Sequence, residues 1–165
     1  MPPPIDLPFR AVLRIQALGR SGNGMPSKPQ RIELTMETLI ESIALAEEVG
    51  VRVAAVAGFG EDDQYKIGLA VHEGVMNAFQ YGNKQRRERK IHVIFELHDD
   101  KLVIHVVDQG AGFRLEDIPD PRDDENVLGD SGRGVLLMKA FMDEVDVLSS
   151  SAGGAVLVMA KRHKQ

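Results

Sequence analysis

The chain has 165 residues, 43% of them apolar and 27% charged, enough for one globular domain with its own core and too few for two full domains. It contains no cysteine, which excludes disulfide frameworks, thiolate metal sites and cysteine nucleophiles. Its net charge of −5 gives no global attraction to nucleic acid, and no stretch approaches the ~18 apolar residues of a membrane span. The opening MPPPIDLPFR has prolines and Asp6 where a secretory signal would carry an apolar run, so the chain reads as soluble and cytoplasmic.

Residues 1–30, rich in proline and glycine, predict a flexible arm with a short strand at AVLRIQAL, ahead of a domain over 31–165. RIELT alternates Ile32 and Leu34 with Arg31, Glu33 and Thr35, the period of a half-buried strand. Met36, Leu39, Ile43, Ala46, Gly50, Val53 and Val56 then recur at spacings of three or four, predicting a helix over about 36–57. Gly50 interrupts that pattern and leaves VRVAAV open as a separate strand. GFGEDD breaks the chain and supplies acidic residues for a helix start. Ile67, Ala70, Val71, Gly74, Val75 and Ala78 carry this second helix to near Gly82. The basic run NKQRRERK follows, either a solvated connection or a face for an acidic partner. IHVIFEL and KLVIHVVD, joined by HDD, predict an antiparallel hairpin. Residues 109–132 hold glycine, proline and acidic residues without periodicity, a length typical of functional or disordered loops. GRGVLLMKAFMDEV resumes helical spacing, and VDVLSS with AVLVMAK around SAGG predict a closing hairpin. The expected class is α+β, a two-layer sandwich with helices on one face of a mixed, mostly antiparallel sheet.

Three stretches carry chemistry. In HEGVMNAFQYGN, Glu73 and Asn77 stand four apart on one border of the apolar stripe, about 6 Å apart along the axis, so both can act on one small object. The same spacing also fits two polar residues on a helix flank, with Asn77 bonding locally. In VVDQGAGF an apolar strand ends on Asp108, a carboxylate fixed by the sheet and suited to accept a hydrogen bond from an amino group. Gly110 and Gly112 let a ligand approach the backbone, although an ordinary Asp-Gly turn reads the same way. In GDSGRGVLLM, Gly129, Gly132 and Gly134 lead into a helix whose first N–H groups favour an anion such as phosphate, without the Gly-Lys-Ser/Thr ending of the phosphate loop.

In this order the three stretches resemble the GHKL ATPases, the group of gyrase, the histidine kinases and MutL, and within them the single-domain anti-sigma factor serine/threonine kinases. The resemblance covers about residues 31–161. HEGVMNAFQYGN is similar to the family's N box, VVDQGAGF to its first glycine box, and PDPRDDENVLGDSGRGVLLMKAFMDEV to its lid, second glycine box and following helix. The resemblance implies a histidine kinase-like ATPase fold, ATP and Mg²⁺ as cofactors, Glu73 as general base and Asn77 as Mg²⁺ ligand. It also implies that Asp108 holds the adenine amino group, that Gly110, Gly112 and Phe113 shape the base pocket, and that Gly132, Arg133 and Gly134 face the phosphates. A sigma factor and a STAS-type antagonist protein are the implied partners, with a homodimer as the expected assembly. Neither a direct nucleic-acid contact nor a membrane contact is implied.

Two positions depart from the family pattern. Tyr81 stands where histidine is frequent, and GGAVLV places Gly154 and Ala155 where the family carries threonines that help read adenine. Two other functions fit the motifs: a histidine kinase catalytic domain acting in trans, and an ATP-sensing module that sequesters a partner without phosphoryl transfer. The five histidines, His72, His92, His98, His105 and His163, show no metal-ligand spacing, and His72 is expected opposite the apolar stripe. Asp120, Asp123, Asp124 and Glu125 read as solvating residues of the lid.

Overall fold

The computed structural model describes residues 10–16, 30–112, 114, 116 and 133–164. Its elements are β1 (Ala11–Gln16), β2 (Gln30–Glu37), α1 (Ile40–Val56), α2 (Glu61–Asn77), a π-helical turn (Ala78–Gly82), β3 (Lys90–Leu97), β4 (Lys101–Val107), α3 (Arg133–Phe141), β5 (Glu144–Ser149) and β6 (Ala155–Arg162). The strands form one sheet in the order β1-β2-β3-β4-β6-β5. All five described pairings are antiparallel, so the expected α+β sandwich is present, with an antiparallel sheet in place of a mixed one. Residues 11–16, expected to form a short strand in the arm, pair with β2 from Ala11↔Met36 to Gln16↔Arg31.

The two-residue period sorts the sheet's side chains. Leu34, Met36, Ile91, Val93, Phe95, Leu102, Ile104, Val106, Leu157 and Met159 all point to the helix side and are fully buried or nearly so. The helices cover that face with Ile43, Ala46, Val53, Ile67, Val71, Val75 and Met138. Two small residues let α1 and α2 approach closely. A Cβ on Gly50 would lie 3.0 Å from Val71 Cγ2, and one on Gly68 would lie 2.5 Å from Val51 Cγ2. Gly50 is therefore a packing residue inside a continuous helix, and VRVAAV belongs to α1 rather than to a strand.

α1 starts later than its periodicity suggests. Met36 fits the helical spacing but is the buried end of β2, paired with Ala11 on one side and Ile91 on the other. Sheet pairing from two neighbours overrides a local periodic match, and the chain turns only at Thr38–Leu39. There the Ser42 hydroxyl donates to the Glu37 carbonyl at 2.7 Å. His72 also sits differently from expectation. It lies at the α1–α2 seam, with Nδ1 2.7 Å from Glu47 Oε2.

Candidate functional site

α2 presents its C-terminal half to the sheet through Gly74, where a Cβ would lie 2.8 Å from Leu157 Cδ2. That close seat fixes the height of Glu73 and Asn77 over the sheet. Asn77 is 6% exposed, and its Nδ2 has no hydrogen-bond partner among the described residues. A buried carboxamide normally has its donors satisfied. That donor is left unsatisfied among the described residues. Glu73, half-buried one turn earlier, reaches α3: a Cβ on Gly134 would overlap the Glu73 carboxylate. Glycine at 134 thus lets the start of α3 close onto Glu73, and the two predicted stretches meet.

Asp108 directly follows β4 and is 3% exposed. Its Oδ1 accepts the Gly110 N–H at 2.9 Å, and its Oδ2 accepts the Ala155 N–H at 3.3 Å. Burial pushes its carboxyl above the ordinary range. The two N–H groups and the positive charge of Arg89 oppose that shift without reversing it. Three backbones crowd this carboxylate. A Cβ on Gly82 would lie 2.5 Å from Asp108 Cγ, one on Gly154 would strike the Asp108 carbonyl, and one on Gly110 would overlap the Gly82 carbonyl. Gly112 has φ +79°, the left-handed region that a side chain disfavours.

The structure therefore brings Glu73 and Gly134 together at the α2–α3 contact, with Asn77 one turn further along α2, and Asp108, Gly110 and Gly112 together after the end of β4. The π-helical turn joins the two groups. Arg133 is exposed at the first position of α3. Phe113, Gly132 and the expected lid, including Asp120, Asp123, Asp124 and Glu125, lie outside the described residues. Tyr81 sits half-buried in the π-helical turn.

Four further residues surround Asp108, and of these the sequence marks only Gly154 and Ala155, as departures from the family pattern. Gly82 and Gly154 act by having no side chain, and Ala155 acts through its N–H, so none of the three has a side-chain signature. Asn83 was hidden as the first letter of a basic run. It is fully buried, and its carboxamide bonds three separate segments. Within the same run, Lys84 and Gln85 adopt positive φ (51° and 57°), which tightens the chain between the turn and β3.

Comparison with known proteins shows the family of the chain. A family model for the histidine kinase-like ATPase domain matches residues 36–161, from the end of β2 to the end of β6. The chain belongs to the histidine kinase-like ATPase family. It is similar to the serine-protein kinase RsbW of Staphylococcus epidermidis, 32% identical over 148 residues that cover 86% of this chain and 92% of the relative. RsbW of Staphylococcus aureus strain MRSA252 shows the same identity and coverage. ATP is the group an ATPase of this family uses, and the residues present fit it. A dry carboxylate stands ready for a donor, glycines line the approach to it, and a buried amide nearby lacks an internal partner.

Proposed function

We propose that this protein is an ATP-dependent serine/threonine protein kinase of the anti-sigma factor type, acting in the cytoplasm as a partner-switching regulator. The observation that carries the catalytic part is the seating of the Glu73 carboxylate against Gly134, one helical turn from Asn77, whose buried Nδ2 has no partner among the described residues. The similarity to serine-protein kinases supports the reaction class.

When bound, Mg·ATP supplies the phosphoryl group and much of the charge neutralisation that phosphoryl transfer needs. The chain's own residues divide the remaining work. Asp108 accepts the adenine amino proton, and Gly110 and Gly112 keep the base pocket open. The Asn77 amide oxygen would be the chain's own ligand to Mg²⁺, an ion that prefers oxygen donors. Glu73 takes the proton of the incoming hydroxyl. Gly134 leaves room for that carboxylate at the start of α3.

The partners in this reading are a sigma factor, held by binding, and a STAS-type antagonist protein that carries the acceptor serine or threonine. A homodimer belongs to the same reading. It is supported by an apolar groove of about 350 Å³ beside β1, whose outer edge has no pairing strand among the described residues.

Labelled ATP tests the reaction class. The protein is incubated with the partner that co-purifies with it, and half of the sample is treated with acid. Acid-stable label on the partner is the expected result. Acid-labile label would instead mark a histidine kinase acting in trans. Absence of label despite measured ATP binding would mark a sequestering module.

A further inference from the structure

The Asn83 carboxamide uses both of its donor hydrogens and its oxygen. Nδ2 donates to Thr38 Oγ1 at 2.7 Å and to the Lys90 carbonyl at 3.0 Å, while Oδ1 accepts the Gln109 N–H at 2.8 Å. The direction of the chain of bonds is fixed. The Thr38 hydroxyl donates to the Arg89 carbonyl at 2.8 Å, which leaves its oxygen to accept from Asn83. The backbone of Asn83 is held as well: its N–H bonds the Ala78 carbonyl at 2.7 Å and closes the π-helical turn. A second link ties the same two segments, from the Lys90 N–H to Gln109 Oε1 at 2.7 Å.

One side chain therefore joins the β2–α1 junction, the end of the helix bearing Glu73 and Asn77, the start of β3, and the residue that follows Asp108. Its sequence neighbour Gly82 abuts the Asp108 carboxylate, and Gly82 in turn touches Gly110. Gln109 directly follows Asp108, so a shift of the Gln109 amide would disturb the carboxylate that is packed against Gly82.

We infer that Asn83 is a positioning residue that sets base selectivity, holding Asp108 in register with the helix that carries Glu73 and Asn77. This inference rests on the reading of Asp108 as the acceptor of the adenine amino group. An asparagine suits the task because a carboxamide supplies two donors and an acceptor in one plane, which aspartate, serine and alanine do not. The geometry assigns no contact between Asn83 and nucleotide. Its effect is exerted through Asp108.

The test measures ATP and GTP affinities by calorimetry for the full chain and four variants, with thermal melting alongside. Asn83→Ala is expected to weaken ATP about tenfold while barely changing GTP, so that the ATP-over-GTP preference falls. Asn83→Asp keeps the acceptor for Gln109 and is expected to recover most of that preference despite a lower melting temperature. Thr38→Val removes an equally buried polar group from the same network. It should lower the melting temperature and leave the preference within about twofold of the starting protein, since it spares the Gln109 bond. Asp108→Asn separates the two levels of the argument. If Asp108→Asn leaves ATP affinity unchanged, the reading of the base site is wrong and the inference falls with it. If Asp108→Asn weakens ATP but folded Asn83→Ala keeps the original preference, the positioning role alone is overturned. Equal changes of preference in Asn83→Ala and Thr38→Val would likewise overturn it, because a general loss of stability would then account for both. Where Asn83→Ala does not fold, Asn83→Ser, too short to reach Gln109 but still polar, reads the same ratio.

Discussion

Asp108 is a carboxylate held among three backbones, and its two N–H donors do not cancel the loss of water. Because its folded value lies above the ordinary 3.8, the folded state takes up the proton first as pH falls. The contribution of this group to stability therefore declines as pH rises from 3.8 through the raised folded value, and is level above it. Relative to Asp108→Asn, the nucleotide-free protein should gain unfolding free energy as the solution is acidified through that window, measured by denaturant titration at stepped pH. A constant difference across the acid range would contradict the shift. The same substitution should weaken ATP binding by about 2 kcal/mol, since an amide presents a donor or a weaker acceptor to the adenine amino group. Glu73 and Asn77 are expected to separate cleanly. Glu73→Gln should keep Mg·ATP binding and lose phosphate transfer, whereas Asn77→Ala should weaken the Mg²⁺-dependent part of binding itself. Calorimetry with and without Mg²⁺ checks this, and equal binding losses in both would refute the division.

Among the elements, the β5–β6 hairpin explains the departure from the family's threonines. Gly154 lies against the Asp108 carbonyl with no room for a side chain, and Ala155 serves Asp108 through its backbone N–H. Restoring the family residue should therefore fail. Gly154→Thr is expected to destabilise the protein by about 2 kcal/mol or more through overpacking, and to weaken ATP rather than tighten it. Thermal melting and calorimetry on the one variant decide this. Tighter ATP binding at an unchanged melting temperature would show that the hairpin accommodates the hydroxyl. α2 shows the opposite relation between sequence and site. Its periodicity predicts the helix and sets Glu73 and Asn77 on one border of its apolar stripe, because a helix face is a local property. The π-helical turn that ends it answers to no local pattern: it is closed by the Asn83 N–H, and Asn83 bonds Lys90 of β3 and Gln109 just beyond β4.

Across the molecule, the described residues leave the β1 side uncovered. Leu13 and Ile15 are 51% and 68% exposed, Val56 of α1 is 73% exposed, and together with Ile32, Val49 and Val53 they line the groove whose rim carries Glu48 and Arg52. An edge strand with a bare apolar flank is a pairing surface unless something covers it. If a second copy covers it in the proposed homodimer, Ile15→Glu should convert the dimer to a monomer while ATP affinity stays within about twofold, because the groove and the nucleotide residues share no side chain. Light scattering coupled to size exclusion reads the outcome, and an unchanged dimer would place the interface elsewhere.

Fold class, strand and helix faces, and the stretches holding Glu73, Asn77, Asp108 and Gly134 are legible in the residue order, because periodicity and glycine placement act over a few residues. Only the tertiary structure decided where β2 gives way to α1, why Gly50 does not break a helix, and why positions 82, 154 and 155 can do without functional side chains. It also took Asn83 out of a basic run and made it the joint of the site. The physical reason is the same in each case. These residues act through contacts with segments distant in the chain, Met36 with β1 and β3, Gly50 with Val71, Gly154 with Asp108, and Asn83 with Thr38, Lys90 and Gln109. A backbone approach or a buried carboxamide becomes functional only when the partner arrives.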